Sequence, residues 1–111
     1  MAAQKDRVFG PALVATGPTT VLTAGATERI EIQVIMVSNP TANAVSFTAS
    51  IGADAAGTRI IGTNTVPNVP ANAVTPFYGP WILKESEILT LSAGTNNVLN
   101  ASGHGIRRAV G

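Results

Sequence analysis

A single histidine, His104, sits in Ser102-Gly103-His104-Gly105, where flanking glycines would let an imidazole reach a metal or a substrate. Zinc needs three or four ligands, and the chain has neither a second histidine nor a cysteine. His104 therefore reads as a surface loop residue. Glu85 and Glu87 would share one face of an extended segment as a carboxylate pair, but within Lys84-Glu85-Ser86-Glu87 they read as a solvated turn. Asp54, lying between Gly52 and Gly57, lacks the further oxygen side chains that a hard cation requires. Arg107 and Arg108 form the only basic doublet. On a strand they point to opposite faces, which favours a single interfacial ion pair over a joint phosphate clamp. Asn100-Ala101-Ser102 matches a glycosylation acceptor. No nucleophile has an adjacent base, and no glycine-rich loop leads from a strand into a helix. The sequence predicts no enzyme, no catalytic residue, no cofactor and no metal site.

The remaining chemistry is aromatic. Phe77, Tyr78 and Trp81 gather the only Tyr, the only Trp and one of three Phe. Aromatic platforms on β-sandwiches stack against sugar rings, so this trio is the candidate carbohydrate platform. The alternation around Trp81 and Leu83 also sends at least one of these rings into a core.

The elements that must carry these residues are strands. No window keeps the helical period free of Gly, Pro or β-branched residues. Ile30, Ile32, Val34 and Met36 alternate with Glu31 and Gln33, and Ile35 and Val37 then make the second face apolar too, which predicts a central strand covered at its end. Val45, Phe47, Ala49 and Ile51 alternate with Ser46, Thr48 and Ser50, predicting one core face and one hydroxyl-rich outer face. Ser38-Asn39-Pro40-Thr41-Ala42-Asn43 has turn chemistry and predicts a hairpin, as does the polar turn Lys84–Glu87 before Ile88. Pro67, Pro70 and Pro76 forbid a central strand and predict an extended link between two sheets. Seven or eight short strands at this spacing predict an all-β, antiparallel sandwich, jelly-roll or immunoglobulin-like, spanning residues 19–111. Residues 1–18 read as an extended N-terminal arm or a first strand.

The chain has 111 residues, enough for one core. Charged residues make up only 12%, against about 25% in an average domain. Seven basic and six acidic side chains leave a net charge of +1, far from the excess that nucleic-acid binding requires. Without an apolar run long enough to span a bilayer, and without a signal-peptide pattern at Met1–Arg7, the reading is a soluble protein with no membrane partner.

The order of pieces resembles small β-sandwich structural proteins of tailed-bacteriophage particles. The resemblance rests on Val21–Ile30, Ile32–Asn39, the Val66 to Pro70 crossover, Trp81–Ile88 and the segment around Gly103. Where such proteins usually place Gly-Asp before an Ile, this chain has Ser86-Glu87. The resemblance implies a virion protein made in the host cytoplasm, first a decoration (cement) protein bound to the major capsid protein on the outer head. A neck or tail component is the alternative within the family, and a carbohydrate-binding adhesion module the alternative outside it. Local three-fold positions on a shell would favour a homotrimer. Val8, Phe9, Leu13 and Val14 of the arm, with Arg107 and Arg108, are the expected subunit or capsid contacts.

Overall fold

In the computed structural model, residues 6–52, 58–62 and 66–109 are described. They form eight strands: β1 (Asp6–Leu13), β2 (Thr19–Thr23), β3 (Glu28–Asn39), β4 (Phe47–Ile51), β5 (Arg59–Ile61), β6 (Ala73–Leu83), β7 (Ile88–Ala93) and β8 (Asn100–Ala109). Two four-stranded sheets result, sheet A in the order β1-β8-β3-β6 and sheet B in the order β2-β7-β4-β5. Every pairing is antiparallel. The first strand pairs with the last, the second with the seventh, the third with the sixth and the fourth with the fifth. That is a long β-ribbon rolled on itself, the jelly-roll topology. The sandwich expected from strand spacing is therefore present, with all eight strands.

The rolled ribbon corrects both expected hairpins. The turn after Asn39 carries the chain from sheet A to sheet B, and Lys84–Glu87 does the same between β6 and β7. Turn chemistry says where a chain reverses, whereas the distant pairing partners decide which sheet it joins. The Val66 to Pro70 segment links the two sheets as expected, and Pro76 and Pro80 lie in β6, an edge strand that can lose N–H donors. At the first crossing the buried Asn39 side chain replaces a ladder. Its Oδ1 accepts from Thr41 N (3.0 Å) and Thr41 Oγ1 (2.7 Å), and its Nδ2 donates to the carbonyls of Asn43 (2.9 Å) and Val69 (3.3 Å). Asn39→Ala is expected to cost about 1–3 kcal/mol in urea unfolding, because buried backbone groups lose their partners. A loss within experimental error would mean that the turn holds itself.

β3 departs from simple alternation in a way that shapes the molecule. Ile30 and Ile32 enter the core, but a bulge follows, and Ile35, Val37 and Asn39 then point inward. Opposite Ile32 stand Trp81 and Gly105, and opposite Val34 stand Tyr78 and His104. One extra residue on a strand moves every later side chain to the other face. Val34 and Met36, expected beside Ile30 and Ile32, consequently face outward.

Sheet B differs from expectation on its outer side. Phe47 and Ala49 are in the core as their alternation predicts. Its hydroxyl side chains are nonetheless shielded from water: Thr48 and Ser50 of β4 and Thr90 and Ser92 of β7 are all buried. The Thr48 and Ser92 hydroxyls pair across the strands, and Thr90 Oγ1 donates to Gly52 O at 2.7 Å. Buried hydroxyls need hydrogen-bond partners, and Thr48, Ser92 and Thr90 have them.

The expected arm is a strand over its described part. β1 pairs with β8, and Val8, Phe9 and Val14 join the sandwich core. They cannot serve as contacts for a neighbour, since the domain itself covers them. The Phe9 ring fills the space that a side chain on Gly103 would occupy. Of the arm residues singled out, Leu13 alone is exposed, at 61%.

Candidate functional site

The outer face of sheet A is open, and the β3 bulge determines what it displays. Side chains stand there in rows across the strands. Leu13, Asn100, Ser38 and Val74 form one end, and Ser102, Met36 and Pro76 form the next row. Arg7, His104, Val34 and Tyr78 follow, then Ile106, Glu31 and Ile82, with Arg108 beside Arg29 at the far end. Several large apolar groups are solvent-facing: Tyr78 is 74% exposed, Val74 60% and Ile82 43%. Contiguous apolar surface of this kind marks an interaction site more often than a scattered exposed leucine does.

Beneath the Tyr78 ring lies a shallow groove of about 300 Å³, lined by Glu31, Gln33, Val34, Gly79 and Pro80. On its floor Gln33 Nε2 donates to Glu31 Oε2 at 2.6 Å. A second depression, between Arg29, Glu31, Ile82 and Arg108, has a volume of about 230 Å³. Both open onto the same face.

Charges at the end of this face are unevenly matched. Arg29 Nε donates to Glu85 Oε1 at 2.6 Å, and this hydrogen bond holds the Glu85 carboxyl below its usual range. Arg107 points to the opposite side, as alternation predicts, and makes a two-pronged bond to Glu28, 2.9 Å for each arm. That bond, with the Gly25 N–H, lowers the Glu28 carboxyl to about 2. The unfolded chain therefore binds more protons than the folded one in acid, so the stabilisation is complete above about pH 4.5 and is lost as pH falls towards 2. Thermal midpoints measured across this range should fall more steeply for the wild type than for Glu28→Gln. Parallel curves would remove the ion pair from the acid response. Arg7 and Arg108 have no ion-pair partner among the described residues.

The other residues singled out by type are dispersed. Phe77 stacks on Phe47 inside the sandwich, with ring centroids 5.6 Å apart and an interplanar angle of 27°. Trp81 packs against the core from the same inward side of β6, and Tyr78 faces out. The three rings do not form one platform, because odd and even positions of a strand point opposite ways. Glu87 Oε1 accepts from the Lys84 N–H at 2.7 Å, closing the turn, so Glu85 and Glu87 do separate work. Asp54 lies outside the described residues. His104 belongs to β8 and is not a loop residue; it is half-buried between Arg7 and Val34, and its Nδ1 is buried with no hydrogen-bond partner. Among the described residues no group of three or more His, Asp or Glu converges to hold a metal ion.

Val34, Met36, Ile82 and Ile106 were not recognisable as surface residues by type. The one signal for Val34, Met36 and Ile82 was an apolar character on both faces of β3 and β6, which a strand sealed on one side does not need. Comparison with known proteins adds no relative: no family model, no curated protein and no solved structure matches the chain.

Proposed function

We propose that this chain is a structural protein of a tailed-bacteriophage particle, acting by docking on other virion proteins without catalysing a reaction. Decoration of the outer head surface, bound to the major capsid protein, is the first reading, and a neck or tail position is the second. The observation that carries it is the asymmetry of the sandwich, with the hydroxyl side chains of β4 and β7 buried on one outer face and large apolar side chains exposed on the other. A low content of charge supports the same reading, since few solvated groups need to lose water when surfaces meet. Jelly rolls serve both capsids and lectins, so the fold supports the reading without deciding it.

The test is quantitative mass spectrometry of gradient-purified particles from the phage that encodes the chain, with antibody labelling to locate it. Many copies per particle on the head are expected. Absence from purified particles would end the proposal, and label at the neck or tail would select the second position. Light scattering on the purified chain tests for the trimer that local three-fold positions favour. Tyr78 over the Glu31 and Gln33 pair keeps a carbohydrate-binding module as the rival. Glycan-array signal abolished by Tyr78→Ala would support it, without any need for Phe77 or Trp81.

A further inference from the structure

The docking partner has a definable chemistry. Resting on the proposed role as a virion docking protein, we propose that the outer face of sheet A is its binding face, and that the occupant is a different protein with an apolar patch bordered by carboxylates.

Size comes first. Four strands about 4.8 Å apart, rising about 3.3 Å per residue, give a face on the order of 700 Å². A stable protein contact takes roughly 800 Å² from each partner, so one sheet face is nearly the required surface. The exposed ring of Tyr78 stands on it with Val34 and Ile82, and buried aromatic anchors carry much of the energy of such contacts. Extension of the sheet by an added strand is disfavoured at the adjoining edge, because Pro76 and Pro80 remove two N–H donors from β6. The partner therefore lies across the face.

Charge then selects the occupant. Arg108 stands directly opposite Arg29, and like charges so placed repel unless something neutralises them. Glu85 serves Arg29, which leaves Arg108 at one end of the face and Arg7 at the β1 edge without carboxylates among the described residues. A second copy is poorly suited to supply them. Of the described carboxylates, Glu28 is committed to Arg107 and Glu85 to Arg29, Glu87 closes its turn on the Lys84 N–H, and Glu31 holds only the neutral amide of Gln33, so a second copy would bring one uncommitted carboxylate on this face to two arginines. A foreign surface with free carboxylates around an apolar centre complements the face in both respects.

The experiment adds purified full-length chain back to particles grown without it and measures bound protein by sedimentation. Wild type should bind, while Tyr78→Arg and Arg108→Glu should each weaken binding at least tenfold with unchanged thermal midpoints. Arg108→Lys should recover much of the loss, and Thr23→Arg on β2 should bind as wild type. If wild type binds and both face variants bind equally well, the face is wrong although the virion role stands. If wild type fails to bind, the virion role falls and the inference with it. A wild-type oligomer that Tyr78→Arg dissolves would make a second copy the occupant and overturn the proposal. Flotation with phosphatidylserine vesicles that is lost in both variants would overturn it in favour of a lipid surface.

Discussion

Phe9→Asp should leave a chain that does not fold. Phe9 is only 6% exposed, belongs to the core cluster, and lies on the backbone of Gly103 in the neighbouring strand. Removing a buried ring of this size costs about 3–5 kcal/mol. Placing a carboxylate where no cation waits adds several kcal/mol more, or forces the acid to remain protonated. Against a total stability of about 5–15 kcal/mol for a domain, the sum leaves little or nothing. Circular dichroism and amide NMR dispersion would register the loss. Leu13→Asp, four residues later on the same strand but 61% exposed, should change stability by about 0.5 kcal/mol or less. A folded Phe9→Asp protein with a midpoint near that of the wild type would detach β1 from the core and restore the extended N-terminal arm. The contrast between these positions is sharper than any single value, because both replace an apolar side chain by the same acid on one strand.

The difference between Phe9 and Leu13 also measures what the sequence could and could not disclose. Strand content was readable from alternation, most clearly at Phe47 and Ala49, since a period of two is imposed by the backbone itself. The opposite directions of Arg107 and Arg108 followed from the same rule and are observed. Burial of the β4 hydroxyls was not readable from alternation, since Thr48 finds its partner in Ser92, 44 residues away. The β3 bulge was hidden for another reason. Val34 and Met36 continue the alternation of Ile30 and Ile32 without a break, and only the competing claim of Ile35 and Val37 on the core signals a shift of face.

That bulge links fold to candidate site. Had the period run through unbroken, Val34 and Met36 would be core, and Ile35 and Val37 would cover the outside of sheet A. Two β-branched side chains are sealed completely in their place, while the outer face keeps a smaller apolar strip between Tyr78 and His104. Burial of β-branched residues on a central strand is favourable packing. The exposed strip is the surface left over from that choice, and the next row along the face adds Ile82 and Ile106 on either side of Glu31. An open apolar face can thus arise from one inserted residue.

Phe47→Ala should destabilise the fold by about 3–5 kcal/mol while preserving its architecture. Phe47 is fully buried on β4 of sheet B and stacks on Phe77 of β6 in sheet A, so its ring spans the gap between the sheets. The backbone at this position has its own support. Phe47 N donates to Asn68 Oδ1 at 2.7 Å and Phe47 O accepts from Asn68 Nδ2 at 2.9 Å. An alanine keeps both bonds, so the loss isolates the ring and the cavity it leaves. Urea unfolding of Phe47→Ala, Phe77→Ala and the double variant should give a coupling of about 0.5–1.5 kcal/mol for the stacked pair. Tyr78→Ala, next along β6 and facing water, should stay within about 0.5 kcal/mol of wild type. Equal losses at Phe77 and Tyr78 would mean that β6 does not present one ring to the core and the next to the open face. The docking reading depends on that division, since a Tyr78 committed to the core has no ring to offer a partner.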